Sequence, residues 1–146
     1  KPTEQVLSEL QHLLDCRVPQ VKFVDRTFNC NSDRAYEIWR HIYSRSEDSR
    51  TNFHFEIGAD LITEKQLEVL RKMPAGKIQL EIGIQSTCEE SLREVCRYAP
   101  KDAVIKNIRL LRDAGNINLH TDLIAGLPYE NANEHVASTS SSLTGL

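Results

Sequence analysis

Glu56, Glu81, His120 and Asp122 are ionisable residues set among alternating apolar ones, a spacing that puts each on one face of extended chain. Inward carboxylates are costly unless paired or hydrated, so Glu56 and Glu81 require a ligand or a basic partner. His120 fits a hydrogen-bonded interior histidine as well as a ligand contact, and Asp122 could bond a neighbouring loop. Together the four also make a hard-metal set. More polar residues gather where the extended segments end: Asp25, Arg26 and Thr27, then Gln85 and Ser86, then Gly126. Asp25 and Arg26 either meet a ligand or pair with each other and cap a helix. The amides at Ser86 and Thr87 either hold an anion at a helix start or only cap it. Gly126 permits a tight turn and close backbone approach to a ligand. No Ser/His/Asp or Cys/His arrangement is evident, and there is no glycine-rich phosphate loop. These residue types suit the binding of a small polar molecule.

The elements that must position them follow from periodicity. Period-two patterning predicts strands over Val21–Thr27, Phe53–Asp60, Lys77–Ser86 and Ile117–Gly126. Helical spacing predicts helices over Thr3–Asp15, Ser32–Ser46, Thr63 to about Met73, Thr87 to about Arg97, and Lys101–Ala114. Thr63 with Gln66 and Thr87 with Glu90 read as capping boxes, and Gly115 as a helix stop. Strands alternating with helices imply a parallel sheet. Strands covered on both faces would be apolar throughout, whereas these have one apolar face. The fold class expected is therefore α/β: a partial (βα) TIM-like barrel of about four parallel strands, helices on one face, with a polar lumen. Residues 1–130 form this unit, and 131–146, with its Ser/Thr run, reads as a weak helix or mobile tail.

Composition bounds the partners. The 146 residues carry a net charge of −3, which gives no pull toward nucleic acid or an anionic membrane. No apolar run reaches membrane-spanning length and no signal-peptide pattern is present. Cys16, Cys30, Cys88 and Cys96 include no C-x-x-C pair and no zinc-site spacing to histidine. They read as thiols in a reducing cytoplasm. The expected partner is a small-molecule substrate, with self-association through open sheet edges as a further expectation.

Three stretches carry a family resemblance. Val21–Asn29 (VKFVDRTFN), Glu81–Ser86 (EIGIQS) and Asp122–Glu130 (DLIAGLPYE) resemble the radical S-adenosylmethionine (SAM) superfamily. The last two stand about forty residues apart, as in that family. The wording of FVDRTFN and FHFEIGADLI is most similar to the cobalamin-binding branch, which includes the anaerobic magnesium-protoporphyrin IX monomethyl ester cyclase.

The resemblance implies an open six-unit barrel whose C-x3-C-x2-C loop holds a [4Fe–4S] cluster. There SAM is reductively cleaved to a 5′-deoxyadenosyl radical. It places Asp25, Arg26 and Thr27 near the methionine amino group. Glu56 faces inward, and Glu81, Gln85 and Ser86 lie near the ribose and carboxylate. Ile124 and Gly126, following Asp122, flank adenine. The chain departs from the pattern in having no C-x3-C-x2-C. It is therefore expected to be an internal fragment, inactive alone, of an enzyme in tetrapyrrole or other cobalamin-dependent metabolism. The rival is a non-radical βα-barrel enzyme or a module binding a small ligand or metal.

Overall fold

Alternation of apolar and polar residues gives four parallel strands in the order β1-β2-β3-β4. The computed structural model describes residues 1–86, 88–97 and 99–129. The strands are β1 (Gln20–Lys22), β2 (Asn52–Ile57), β3 (Ile78–Gln85) and β4 (Asn118–Leu123). The helices are α1 (Thr3–Asp15), α2 (Ser32–Ser44), α3 (Glu64–Arg71), α4 (Glu89–Glu94) and α5 (Lys101–Ala114). Each strand pairs with the next in sequence, so every connection is a crossover of one hand and the helices stack against one face. α1 contacts α2, α2 contacts α3, and α3 contacts α5. The result is an open arc of a βα barrel.

The core lies between this helix layer and the apolar faces of the strands. Phe53, Phe55, Ile78, Leu80 and Ile82 are buried there against Ile38, Trp39, Leu70, Ile108 and Leu111. An aromatic cluster anchors the β1 side. The Phe55 ring lies 4.7 Å from Phe23, 4.5 Å from Phe28 and 5.9 Å from Trp39.

Caps fix the helix ends. Thr63 and Gln66 form the full capping box on α3, as their spacing predicts. Gly115 ends α5 at φ 69°, a left-handed cap. α2 is capped by Asn31, which accepts from Arg34 N–H. α4 starts with Cys88 at its N-cap and no side-chain cap; the expected Thr87–Glu90 box involves Thr87, which lies outside the described residues. The expected tail over 131–146 also lies outside them.

The first strand differs most from expectation. It ends at Lys22, and the chain turns through residues 23–27 into a 3₁₀ segment, Phe28–Cys30. Phe23 N–H still donates to the His54 carbonyl, but Phe28 must return to the Phe55 ring, which takes the chain off the sheet. β2 likewise stops at Ile57 and enters a 3₁₀ turn, Ala59–Leu61.

Two buried asparagines hold that second turn. Asn29 donates from Nδ2 to the Gly58 carbonyl and accepts from Gly58 N–H, at 2.8 and 2.9 Å. Asn107 on α5 donates to the Ala59 carbonyl at 2.7 Å. Asn107→Leu keeps the size but removes the shorter of two hydrogen bonds to the Ala59 carbonyl, which also accepts from Ile62 N–H at 3.4 Å. It is expected to cost about 0.5–1.5 kcal/mol, read from urea midpoints. An unchanged midpoint would mean that the Ile62 bond alone holds the turn.

Candidate functional site

The polar face is laid out in rows. In the first, Lys22 is opposite His54, His54 opposite Gln79, and Gln79 opposite Asn118. In the second, Glu56 is opposite Glu81 and Glu81 opposite His120. In the third, Gly83 is opposite Asp122. Gly58 follows Glu56 by two residues in extended backbone, at φ −88° and ψ 117°. The two glycines present no side chain of their own toward the carboxyl ends of the strands, just beyond the carboxylates, and form a shelf. Over Gly58 lie Asp60 Oδ1 and the Leu61 side chain, 3.1 and 3.2 Å from the point a Cβ would occupy.

Charge compensation in the lower rows is specific. Lys22 Nζ lies 3.8 Å from Glu56 Oε1 and 3.6 Å from Glu81 Oε2. His54, 7% exposed, has Nε2 2.8 Å from Glu81 Oε1. That approach is close enough for an ion pair when the ring is protonated but lacks hydrogen-bond alignment.

Above the shelf the backbone is strained. The β3–β4 register shifts between Gly83 and Gln85. Gln85 sits at φ 66°, and Ser86 N–H donates to the Ile84 carbonyl at 2.8 Å. This is the rare positive-φ γ-turn, which costs a non-glycine residue about 1–3 kcal/mol and concentrates at functional sites. Ile124 N–H donates to the Gln85 carbonyl at 2.8 Å, which helps hold the turn. The turn folds the Gln85 amide over Gly83, where its Nε2 occupies the space a Cβ would need. The Arg97 guanidinium is 3.9 Å from that same point. Fully buried Ser91 donates to the Pro128 carbonyl and so ties α4 to the turn after β4.

The sequence-derived residues divide accordingly. Glu56, Glu81, Gln85 and Asp122 share the polar face around the shelf. Asp25 and Arg26 are exposed in the turn after β1 and form no pair with each other, and α2 takes its cap from Asn31 instead. Thr27 precedes the 3₁₀ segment without capping it. Ser86 is buried, and its Oγ accepts from Cys88 N–H at 2.9 Å. Ile124 is 46% exposed beside the shelf strand. Gly126 is required by its φ of 83° rather than by close approach, since a Cβ there would meet nothing within 4 Å.

Arg97 was not visible in the periodicity. It lies three residues beyond α4, and the tertiary fold alone brings its guanidinium near Gly83. A shallow groove along α5, lined by Asp102, Ile105, Lys106, Arg109 and Leu110, lies in the helix layer rather than on this face.

The metal-set alternative does not assemble. Among the described residues no three His, Cys, Asp or Glu side chains converge to hold an ion. The cysteines are free thiols: Cys16 after α1, Cys30 in the first 3₁₀ segment, Cys88 before α4 and Cys96 after it. They do not fit a [4Fe–4S] cluster, and no step through one is assigned to these residues. Among the described residues no helix is long and apolar enough to cross a membrane.

Comparison with known proteins agrees with this geometry. A family model described as the radical SAM superfamily matches residues 1–139. The oxygen-independent coproporphyrinogen-III oxidase-like protein HemZ of Bacillus subtilis (strain 168) is 37% identical over 75 residues, 51% of this chain and 15% of that protein. The radical SAM methyltransferase TsrM from Kitasatospora setae, solved with cobalamin and a [4Fe–4S] cluster, superposes with a TM-score of 0.79 at 17% identity. That match covers 98% of this chain and 27% of TsrM. Coproporphyrinogen III oxidase HemN from Escherichia coli superposes with a TM-score of 0.67 at 19% identity, over 96% of this chain and 34% of HemN. The chain therefore spans between 15% and 34% of the length of these proteins. The two solved structures show that it shares their α/β partial-barrel fold. With the family model covering nearly its whole length, the chain belongs to the radical SAM superfamily.

Proposed function

We propose that this chain forms the SAM-cradling arc of a radical SAM enzyme acting on a small-molecule substrate in the cytoplasm. The observation that carries this reading is the glycine shelf, with carboxylates beneath it and an amide and a guanidinium above it. SAM offers a carboxylate, an ammonium, a sulfonium and ribose hydroxyls, and each needs a polar partner when desolvated. Arg97 pairs with the carboxylate, a match of charge and fork geometry. Gln85 and Ser86 stand at the same strand end and orient that group and the ribose. Glu56 supports the hydroxyls, Asp122 borders the shelf, and Ile124 with the Gly126 turn forms an apolar wall for adenine. Asp25 and Thr27, on the open turn after β1, reach the ammonium with their acceptor oxygens, and Arg26 lies between them on the same turn.

A [4Fe–4S] cluster held by cysteines outside these residues would supply the electron that cleaves SAM to a 5′-deoxyadenosyl radical. Cobalamin as a second cofactor is supported by the likeness to TsrM, and a tetrapyrrole-related substrate by the likeness to HemZ and HemN.

Arg97 provides the test. Arg97→Ala removes charge-assisted hydrogen bonds and is expected to weaken SAM binding by about 10- to 100-fold, with Arg97→Lys intermediate. Equilibrium dialysis of SAM against the intact protein under anaerobic conditions measures this. An intact protein that does not bind SAM, or an Arg97→Ala variant with unchanged affinity, would contradict the reading.

A further inference from the structure

Glu56 and Glu81 are neighbours on adjacent strands, yet their oxygens are used differently. Glu81 has Oε1 on His54 and Oε2 on Lys22, so both oxygens face groups in the row below. Glu56 meets Lys22 through Oε1 alone. Among the described residues its second oxygen has no ion-pair or hydrogen-bond partner. Resting on the SAM-site reading above, we propose that Glu81 is a positioning counter-charge rather than a ligand contact. Lys22 and His54 are the partners that hold it in place, whereas Glu56 keeps one oxygen unengaged among the described residues.

The arrangement follows from spacing. Strands lie about 4.8 Å apart, so in-register carboxylates repel and take up a shared proton unless a cation compensates them. Lys22 stands on β1, and its ammonium reaches past β2 to β3, so a single side chain serves both carboxylates. Burial keeps the His54 ring against Glu81 from the other side. Among the described residues the other charged or titratable groups at this face include His120 and Asp122 on β4, Arg97 beyond α4, and Asp60, whose Oδ1 lies over Gly58. Lys22 is thus the cation closest to the pair's own level.

Lys22→Met tests this by two readouts. The first is SAM affinity of the intact protein across the range of about pH 5 to 8 in which histidine titrates. The variant is expected to bind about tenfold more weakly and to acquire a pH dependence beyond the parent's, as the uncompensated pair takes up a proton. Lys22→Arg restores both, and adding Glu81→Gln to Lys22→Met removes the new pH dependence. A variant with the parent's pH profile, whatever its stability, overturns the proposal.

The second readout needs no ligand. Without Lys22 the folded pair binds protons more avidly than the unfolded chain, so the urea midpoint falls as pH rises. Glu81→Gln in the same background recovers it. Midpoints that track the parent at every pH overturn the proposal even in a protein that binds no SAM, a result that would sink the SAM-site reading separately.

Discussion

Phe55→Ala is expected to lower the free energy of unfolding by about 3–5 kcal/mol, the range for truncating a fully buried aromatic. Phe55 is 0% exposed and touches the rings of Phe23, Phe28 and Trp39, so the cavity cannot collapse without moving three other large side chains. A domain of this size is stable by only about 5–15 kcal/mol, so the loss is a large share of the total. The effect reaches the site as well. Phe28 starts the 3₁₀ segment that carries Asn29, and Asn29 pins Gly58 at the shelf. Urea unfolding of the intact protein measures the loss. Tyr43→Ala, on the exposed side of α2, serves as control and should stay within about 0.5 kcal/mol. A Phe55→Ala loss no larger than the control's would mean that the aromatic cluster does not hold the β1 side together.

The second large effect is on binding. Gly83→Val is expected to weaken SAM binding by about 10- to 100-fold, the equivalent of about 1–3 kcal/mol of overpacking. Gly83 is exposed in the middle of the third row, opposite Asp122. A side chain there displaces the Gln85 amide and fills the shelf. Gly83 has no positive φ and the atom displaced is the far end of the flexible Gln85 side chain, so stability should be kept. Lost affinity with an unchanged urea midpoint identifies the shelf as the ligand's seat. Full affinity in this variant would put the ligand elsewhere.

Much of the frame was legible in the sequence because it depends on local periodicity and caps. The bounds of α1 and α5, the Thr63–Gln66 box and the Gly115 stop all follow from neighbouring residues. The polar faces of β2, β3 and β4 follow from alternation alone. The end of β1 did not, because alternation from Val21 to Thr27 is a local signal and the pull of Phe28 toward Phe55 is a tertiary one. Lys22 and Arg97 were missed for a related reason. Both are long, flexible cations whose targets depend on which elements pass beside them, and no spacing along the chain encodes that. Gln85 was singled out for its place at a strand end, but its γ-turn, which aims the amide back over Gly83, comes from the register shift with β4.

The most direct measurement of the central claim is product analysis of the intact protein, purified anaerobically with iron and sulfide incorporated and supplied with SAM and a one-electron reductant. The account predicts release of 5′-deoxyadenosine and methionine, reduced in both Gly83→Val and Arg97→Ala at limiting SAM. A cluster-loaded protein that neither binds SAM nor forms 5′-deoxyadenosine would contradict it.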